Sequence, residues 1–283
     1  MKAIIFSLLG WMFLPVMDGF AKYLSDDLPI LQITWARYFF TVAFVFPIML
    51  FFYKKQLVWS DKPRLQIFRG LILLSANICF FYAISVISLA KALTLAFIAP
   101  LIVTAFSPIL LGEKVGFRRW TAVAVGFIGS LIVIRPGFLE FNLASMAALA
   151  TGFFYGFYLI ITRKLSTSDN PLLTLLITGM VGALLVSLII PFYWVKPTLN
   201  QWSLMGGIGV FACIGHLFLI LSLKYADASK LAPLGYTEII PNVIIGYYFF
   251  SELPDNWTYL GLFIIVLSGL YISRREYHLS RNN

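Results

Sequence analysis

Apolar runs of about 20 residues follow one another along the chain, separated by short polar segments. An α-helix of that length crosses the roughly 30 Å hydrocarbon core of a bilayer. A transmembrane barrel would instead show segments of about 10 residues with alternating polarity. The pattern therefore predicts an all-α integral membrane protein with ten transmembrane helices. The predicted spans are 3–22, 31–53, 66–87, 89–111, 119–135, 142–162, 171–194, 202–224, 228–250 and 257–273.

The composition supports a membrane protein and gives it an orientation. Hydrophobic residues make up 60% of the chain and charged residues only 12%, whereas soluble domains carry roughly 25% charged residues. With the N-terminus in the cytoplasm, sixteen of the 21 lysines and arginines fall on the cytoplasmic side. The net charge of +9 then reflects topology and not nucleic-acid binding. We expect a multi-pass protein of the inner (plasma) membrane with both termini in the cytoplasm.

A weak internal repeat relates the two halves. Shifting residues 66–113 by 139 positions places them on residues 205–252 without a gap. Glu113 then meets Glu252, and each glutamate follows a long apolar run. In the middle of a span, Asn77 meets His216. The constant offset predicts that the two segments occupy equivalent places in the fold.

The repeat divides the chain into residues 1–137, with spans one to five, and residues 138–283, with spans six to ten. Because five is odd, the second half enters the membrane from the opposite face. Inverted repeats are typical of transporters, whose substrate sites lie near the bilayer midplane between the repeats. The sequence thus predicts two inverted five-helix halves around a central site.

The sequence also resembles the drug/metabolite transporter superfamily, and in particular its EamA-type ten-helix transporters. The resemblance covers nearly the whole chain. It rests on Asp18, Lys22 and Arg37, on FSPILLGEKV (106–115), on APLGYTEIIPN (232–242) and on YYFFSELPDNWTYLG (247–261). It implies alternating access and a central cavity lined by spans 1, 3, 4, 6, 8 and 9. The substrates that it implies are amino acids, their derivatives, nucleoside-like metabolites or vitamins.

Three polar residues are predicted near the midplane. Glu238 lies near the middle of the ninth span, where a charge costs on the order of 2.5–3.5 kcal/mol. His216 and Asn77 lie in the middle of the eighth and third spans. We expect all three to line the substrate site. Glu238 is predicted as a substrate contact or a proton carrier, and a histidine beside it would also form a proton pair with it. The structural alternative for each is a hydrogen bond to a neighbouring helix.

Aromatic residues near these polar groups are further candidates for substrate binding. Most aromatic side chains of a membrane protein face lipid or the interfaces, and packing is an alternative for each candidate. The chosen residues are Trp11, Tyr82, Phe97, Tyr155, Tyr158 and Tyr236.

Asp18, Lys22 and Arg37 are predicted to form a gate or charge pair near the outer ends of the first two spans. Lys22 follows Asp18 by four residues, the spacing of an ion pair on one helix face. Arg37 has the geometry to bind a carboxylate or phosphate of a substrate. The sequence leaves open an Asp18–Lys22 pair, an Asp18–Arg37 pair and a substrate contact.

Small residues and prolines predict the packing and bending of particular helices. Gly152 and Gly156 form a small-xxx-small pair that allows close helix contact. Pro100 and Pro241 occupy near-equivalent places in the two repeats. They predict kinks that act as hinges or that stay static.

These features together predict a secondary transporter of a small organic metabolite. The sequence has no phosphate-binding Gly-Lys motif, so an ion gradient or the substrate gradient supplies the energy. A membrane-embedded enzyme and a channel-like subunit are the alternatives, although no known catalytic motif is present. No cofactor, no metal and no nucleic acid are expected. The expected partners are the substrate, the bilayer and protons, with the protein as a monomer or homodimer.

Overall fold

The structure is a computed structural model that describes residues 1–54, 60–134, 142–252, 256, 257, 259–261, 263, 264, 267, 268 and 271. Within this part of the chain the protein is helical and has no β-strand. The helices are α1 (Lys2–Leu24), α2 (Ile30–Phe52), α3 (Pro63–Val86), α4 (Leu89–Ala96), α5 (Ile98–Leu111), α6 (Phe117–Ile134), α7 (Leu143–Ser166), α8 (Pro171–Ile189), α9 (Leu199–Tyr225), α10 (Ala228–Leu231) and α11 (Ile239–Phe250). Two 3-10 segments, Ile190–Phe192 and Ala232–Glu238, complete the described elements.

Seven helical stretches of the described residues are long and apolar enough to cross a membrane. They confirm the predicted all-α membrane class and correspond to predicted spans 1–4 and 6–8. Helix α6 corresponds to the fifth span. The described residues between 256 and 271 are helical. The remaining residues of the predicted tenth span lie outside the described residues.

Two of the predicted spans are interrupted helices in equivalent positions. Helix α4 ends at Ala96 and α5 continues from Ile98. The ninth span consists of α10, the 3-10 segment Ala232–Glu238 and α11. A 3-10 segment within a helix often marks a hinge or a functional site. Helices α4 and α10 begin at Leu89 and Ala228, which the gapless shift of the repeat places on each other.

Helices α1 and α9 pack antiparallel along their length. The Phe6 ring lies 6.0 Å from the Tyr225 ring at one end, and the Phe20 ring lies 5.8 Å from the Phe211 ring at the other. The start of α1 therefore lies beside the end of α9. This pairing fixes which ends of the helices share a face of the protein.

Helix α7 approaches the interrupted fourth span closely. A Cβ atom at Gly152 would lie 2.3 Å from the backbone oxygen of Ala96, and one at Gly156 would lie 2.7 Å from Ile102. The predicted close contact at this glycine pair is therefore confirmed. It brings α7 against the point where α4 ends and α5 begins.

Candidate functional site

A cavity lies in the middle of the helix bundle, between the two interrupted spans. It holds about 900 Å³ of space that no protein atom fills, including any part open to solvent. Most of its wall is apolar. The side chains that line it and carry polar groups are Ser7, Trp11, Asp18, Asn77, Thr151, Tyr155, His216, Ser222 and Glu238.

Six of the nine residues predicted to bind substrate line this cavity. They are Glu238, His216, Asn77, Phe97, Trp11 and Tyr155. Tyr82, Tyr158 and Tyr236 are not among the described lining residues. The Tyr236 hydroxyl donates to the Val123 carbonyl at 3.1 Å. The hydroxyl of Tyr236 therefore points towards α6, and its ring packs edge-on against Phe97, with 5.1 Å between the ring centroids.

His216 is held from both sides by neighbouring side chains. Its Nε2 lies 2.7 Å from an Arg37 guanidinium nitrogen, and its Nδ1 lies 3.0 Å from the Tyr158 hydroxyl. A guanidinium can only donate, so Nε2 accepts and the ring proton is on Nδ1. The two ring nitrogens of His216 are therefore bonded to Arg37 and Tyr158 and not to Glu238, its predicted proton partner. These bonds make His216 a neutral, fixed part of the cavity wall.

Arg69 supports this arrangement from behind, although in the sequence it was only one of the basic residues that orient the protein in the membrane. It is fully buried. The guanidinium donates to Thr162 Oγ1 at 2.7 Å, to Thr178 Oγ1 at 2.5 Å and to the Tyr158 hydroxyl at 2.9 Å. Arg69 lies within the second turn of α3, and a charge there must find partners within the bundle. This position is the feature of the sequence that could have predicted its structural role.

The Tyr158 hydroxyl is expected to contribute to stability. In a Tyr158→Phe variant, His216 Nδ1–H and one Arg69 N–H lose their acceptor inside the protein. An unpaired buried polar group costs about 1–3 kcal/mol. We therefore expect a clear fall in the temperature of unfolding of the purified protein in detergent.

Tyr155 supplies the matched control, since it lies on the same helix one turn before Tyr158. Its hydroxyl is buried and has no hydrogen-bond partner among the described residues. Tyr155→Phe should leave the unfolding temperature within about a degree of the parent, because no protein hydrogen bond is lost. Equal losses in both variants would show that the hydrogen bonds of Tyr158 do not stabilise the fold.

Lys22 forms an ion pair with Glu252 and not with Asp18. Its Nζ lies 2.9 Å from Glu252 Oε1, and it also donates to the Ile84 carbonyl at 3.2 Å. Glu252 Oε2 accepts from the backbone N–H of Leu89, the first residue of α4, at 3.2 Å. We call Lys22, Glu252 and the Leu89 N–H the Glu252 network. Lys22 therefore does not form the Asp18–Lys22 pair, which was one of the alternatives that the sequence left open.

A second network has the same construction around Glu113. The two Glu113 oxygens accept from the backbone N–H groups of Ala228 and Ser229, at 2.8 and 2.9 Å. The Arg163 Nε lies 3.7 Å from Glu113 Oε1, and Arg163 donates to the Leu223 carbonyl at 2.6 Å. We call Glu113, Arg163 and these two N–H groups the Glu113 network. The sequence analysis did not assign Arg163 a role in it.

The two networks are related by the internal repeat. The gapless shift that defines the repeat pairs the following residues: Glu113 with Glu252, Leu89 with Ala228, and Ile84 with Leu223. Each glutamate also follows a residue in the left-handed conformation, Gly112 with φ 69° and Ser251 with φ 55°. In both, the end of one interrupted span binds the beginning of the other.

The networks lie at opposite faces of the protein. Lys22 is near the end of α1, whereas Arg163 bonds to the last turn of α9. The end of α9 lies beside the start of α1, as the Phe6–Tyr225 contact shows. The cavity therefore lies between a Glu113 face and a Glu252 face, each with its own ion-paired network.

Known proteins resemble this chain along almost its whole length. The profile of the EamA-like transporter family matches residues 1–135 and 142–274. The S-adenosylmethionine uptake transporter of Rickettsia prowazekii is 25% identical over 261 residues, covering 92% of this chain and 88% of that protein. The riboflavin transporter of Vibrio cholerae is 28% identical, with 94% and 91% covered. The pseudopaline exporter of Pseudomonas aeruginosa is 28% identical, with 92% of each covered.

A solved crystal structure shares the fold. It superposes with a TM-score of 0.79 at 17% identity, covering 97% of this chain and 98% of the other.

Proposed function

Because the chain belongs to the EamA-like transporter family, we propose that it carries a small organic metabolite across the inner membrane by alternating access. Transport, and not catalysis, is the shared property of the family and of the relatives. Uptake and export both occur among them, so the proposal concerns the mechanism and the site and not the direction. S-adenosylmethionine and riboflavin are the first solutes to test.

The observation that carries the proposal is the matched pair of networks at the two faces. Each joins an interrupted span of one half to an interrupted span of the other. An alternating-access carrier needs a closure on each side of its substrate. Glu113 and Glu252 supply closures with the same chemistry at opposite ends of one cavity.

We propose that the chain consists of two inverted halves, residues 1–137 and 138–283, and that each half contributes the glutamate of one closure. In one state the Glu113 network is broken and the cavity opens to that face. In the other state the Glu252 network is broken. The distribution of basic residues in the loops supports assigning the Glu113 face and both termini to the cytoplasm. In this structure both networks are formed.

The substrate site of this proposal is the central cavity. Glu238, His216 and Asn77 line it, and the sequence predicts all three near the middle of their spans. Tyr155 adds a hydroxyl that has no partner among the described residues. A polar group left unpaired inside a protein is costly, and a bound solute removes that cost by bonding to it.

The experiment is solute counterflow with the purified protein in liposomes. Vesicles loaded with unlabelled S-adenosylmethionine, riboflavin, amino acids or nucleosides receive the same solute in labelled form outside. A carrier gives saturable accumulation of label that depends on the solute inside. Label that equilibrates without this dependence would indicate the channel alternative, and a chemically altered solute would indicate an enzyme.

A further inference from the structure

Both charged side chains that line the cavity are acidic. Among the described lining residues these are Asp18 of α1 and Glu238, the last residue of the 3-10 segment before α11, and neither lysine nor arginine is present. Asp18 is 3% exposed and Glu238 is 8% exposed. The two carboxyl groups are near enough to interact electrostatically. Together they make the cavity unfavourable for an anion.

The basic residues near these carboxyl groups are bonded elsewhere. Arg37 acts on Asp18 through space, but its guanidinium donates to His216 at 2.7 Å. Lys22 pairs with Glu252. Asp18 Oδ1 is buried and has no hydrogen-bond partner within the described part of the chain. The carboxyl pair therefore lacks the direct cationic partner that buried acids normally require.

The remaining wall is suited to a cation with an apolar body. Trp11 and Tyr155 lie 6.0 Å apart between ring centroids, and Phe80 and Phe97 also line the cavity. Aromatic faces attract cations, and most strongly where water is excluded. They also cover the flat apolar surface of a ligand. Acidic and aromatic groups thus surround the same space.

We propose that the transported solute carries a positive charge, which binds between Asp18 and Glu238 while its apolar body packs on the aromatic wall. This proposal rests on the proposed function, because it names the chemical class of that same substrate. Amines, quaternary ammonium groups and sulfonium groups all meet its requirement. The cation supplies the partner that the two carboxyl groups lack.

Two sets of probes that differ only in charge test this. The first set is tryptamine, tryptophol and indole-3-acetate, and the second is phenethylamine, 2-phenylethanol and phenylacetate. Binding is measured by titration calorimetry on the full-length protein in lipid nanodiscs at pH 8. We expect the amine of each set to bind at least tenfold more tightly than its alcohol, and the acid to bind least.

Substitutions that remove the charge of an acid but keep its shape show which carboxyl groups bind the amine. Asp18→Asn and Glu238→Gln should each weaken amine binding at least tenfold and leave alcohol binding unchanged. Asp26→Asn removes an exposed acid just beyond the end of α1 and should change neither. Unfolding temperatures identify a variant that fails to fold, and the probe preference of the parent protein then still decides the matter.

The outcomes separate this proposal from the proposed function. An amine that binds no better than its alcohol, an amine whose binding survives both substitutions, or no binding of either amine overturns the cationic substrate. Counterflow of a neutral solute would retain the carrier and remove the charge requirement. Amine binding without counterflow of any amine would retain the site and remove the carrier.

Discussion

Glu113→Gln should open the Glu113 face of the cavity and raise the reaction rate of a cysteine inside that face about tenfold to a hundredfold. Glu113 accepts two backbone N–H groups with two oxygens and lies beside Arg163. Glutamine has one acceptor oxygen and no charge. Hydrogen bonds to a charged group contribute about 1.5–3 kcal/mol, and each 1.4 kcal/mol is a factor of about ten in population.

Two equivalent positions serve as reporters for this prediction. The repeat pairs Leu93 with Ala232, and both line the cavity one helical turn beyond the N–H group that the glutamate binds. Leu93→Cys reports on the Glu252 face and Ala232→Cys on the Glu113 face. Cys79 and Cys213 are free thiols and are replaced by serine in the parent. An impermeant thiol reagent is applied to membrane vesicles of known sidedness.

The symmetry of the networks gives this experiment its control. Glu113→Gln should speed the labelling of Ala232→Cys and leave Leu93→Cys no faster. Glu252→Gln should do the reverse, because Glu252 accepts the Leu89 N–H and pairs with Lys22. If either substitution accelerates both reporters equally, the networks only hold the bundle together and do not act as closures of separate faces.

The pattern of apolar runs was enough to predict the helices, because a membrane span has a fixed length. It also predicted the equivalence of Glu113 and Glu252, which depends only on a constant offset. Extended to the first helix, the same gapless shift would place Lys22 on Ile161 and not on Arg163, so it did not pair the two cations. Their shared role became visible only when each was found beside a glutamate.

The partner of each polar side chain was much less predictable. Lys22 is one helical turn from Asp18, yet it binds Glu252 in the opposite half of the chain. Periodicity gives the face of a helix but not the neighbour that this face meets. Tyr236 illustrates the same limit, since it is close to Glu238 in sequence but lies against α6 while Glu238 lines the cavity.

Cation binding in the central cavity should weaken as the pH falls. Protons and the amine compete for the carboxylates of Asp18 and Glu238, because each neutralises the same negative charge. Linkage makes the logarithm of the binding constant rise by up to one per pH unit for each proton that the amine displaces. Tryptamine affinity, measured between pH 5 and pH 9, should therefore fall on the acidic side by up to tenfold per pH unit for each proton displaced.

Other titratable or charged groups lie near Asp18 and Glu238 and must be considered before the pH dependence is attributed to these two acids. Tyr155 on α7, His216 on α9 and Arg37 on α2 are the titratable or charged side chains facing the two acids. The bonds of His216 to Arg37 and Tyr158 fix its ring in the neutral form. The change of amine affinity with pH is therefore assigned to the carboxyl groups of Asp18 and Glu238.

Single substitutions at the two acids should divide the pH dependence between them. Where the amine displaces protons from both acids, Asp18→Asn or Glu238→Gln leaves only one exchangeable proton and lowers the slope. His216→Asn should leave the slope unchanged, although it weakens binding by altering the cavity wall. A slope that persists in Asp18→Asn and Glu238→Gln but disappears in His216→Asn would transfer the proton to the histidine. If the acids release the proton, a cation that binds in the cavity displaces a proton from the same site. Cation and proton are then exchanged, so that the proton gradient drives transport through the same two side chains that select the substrate.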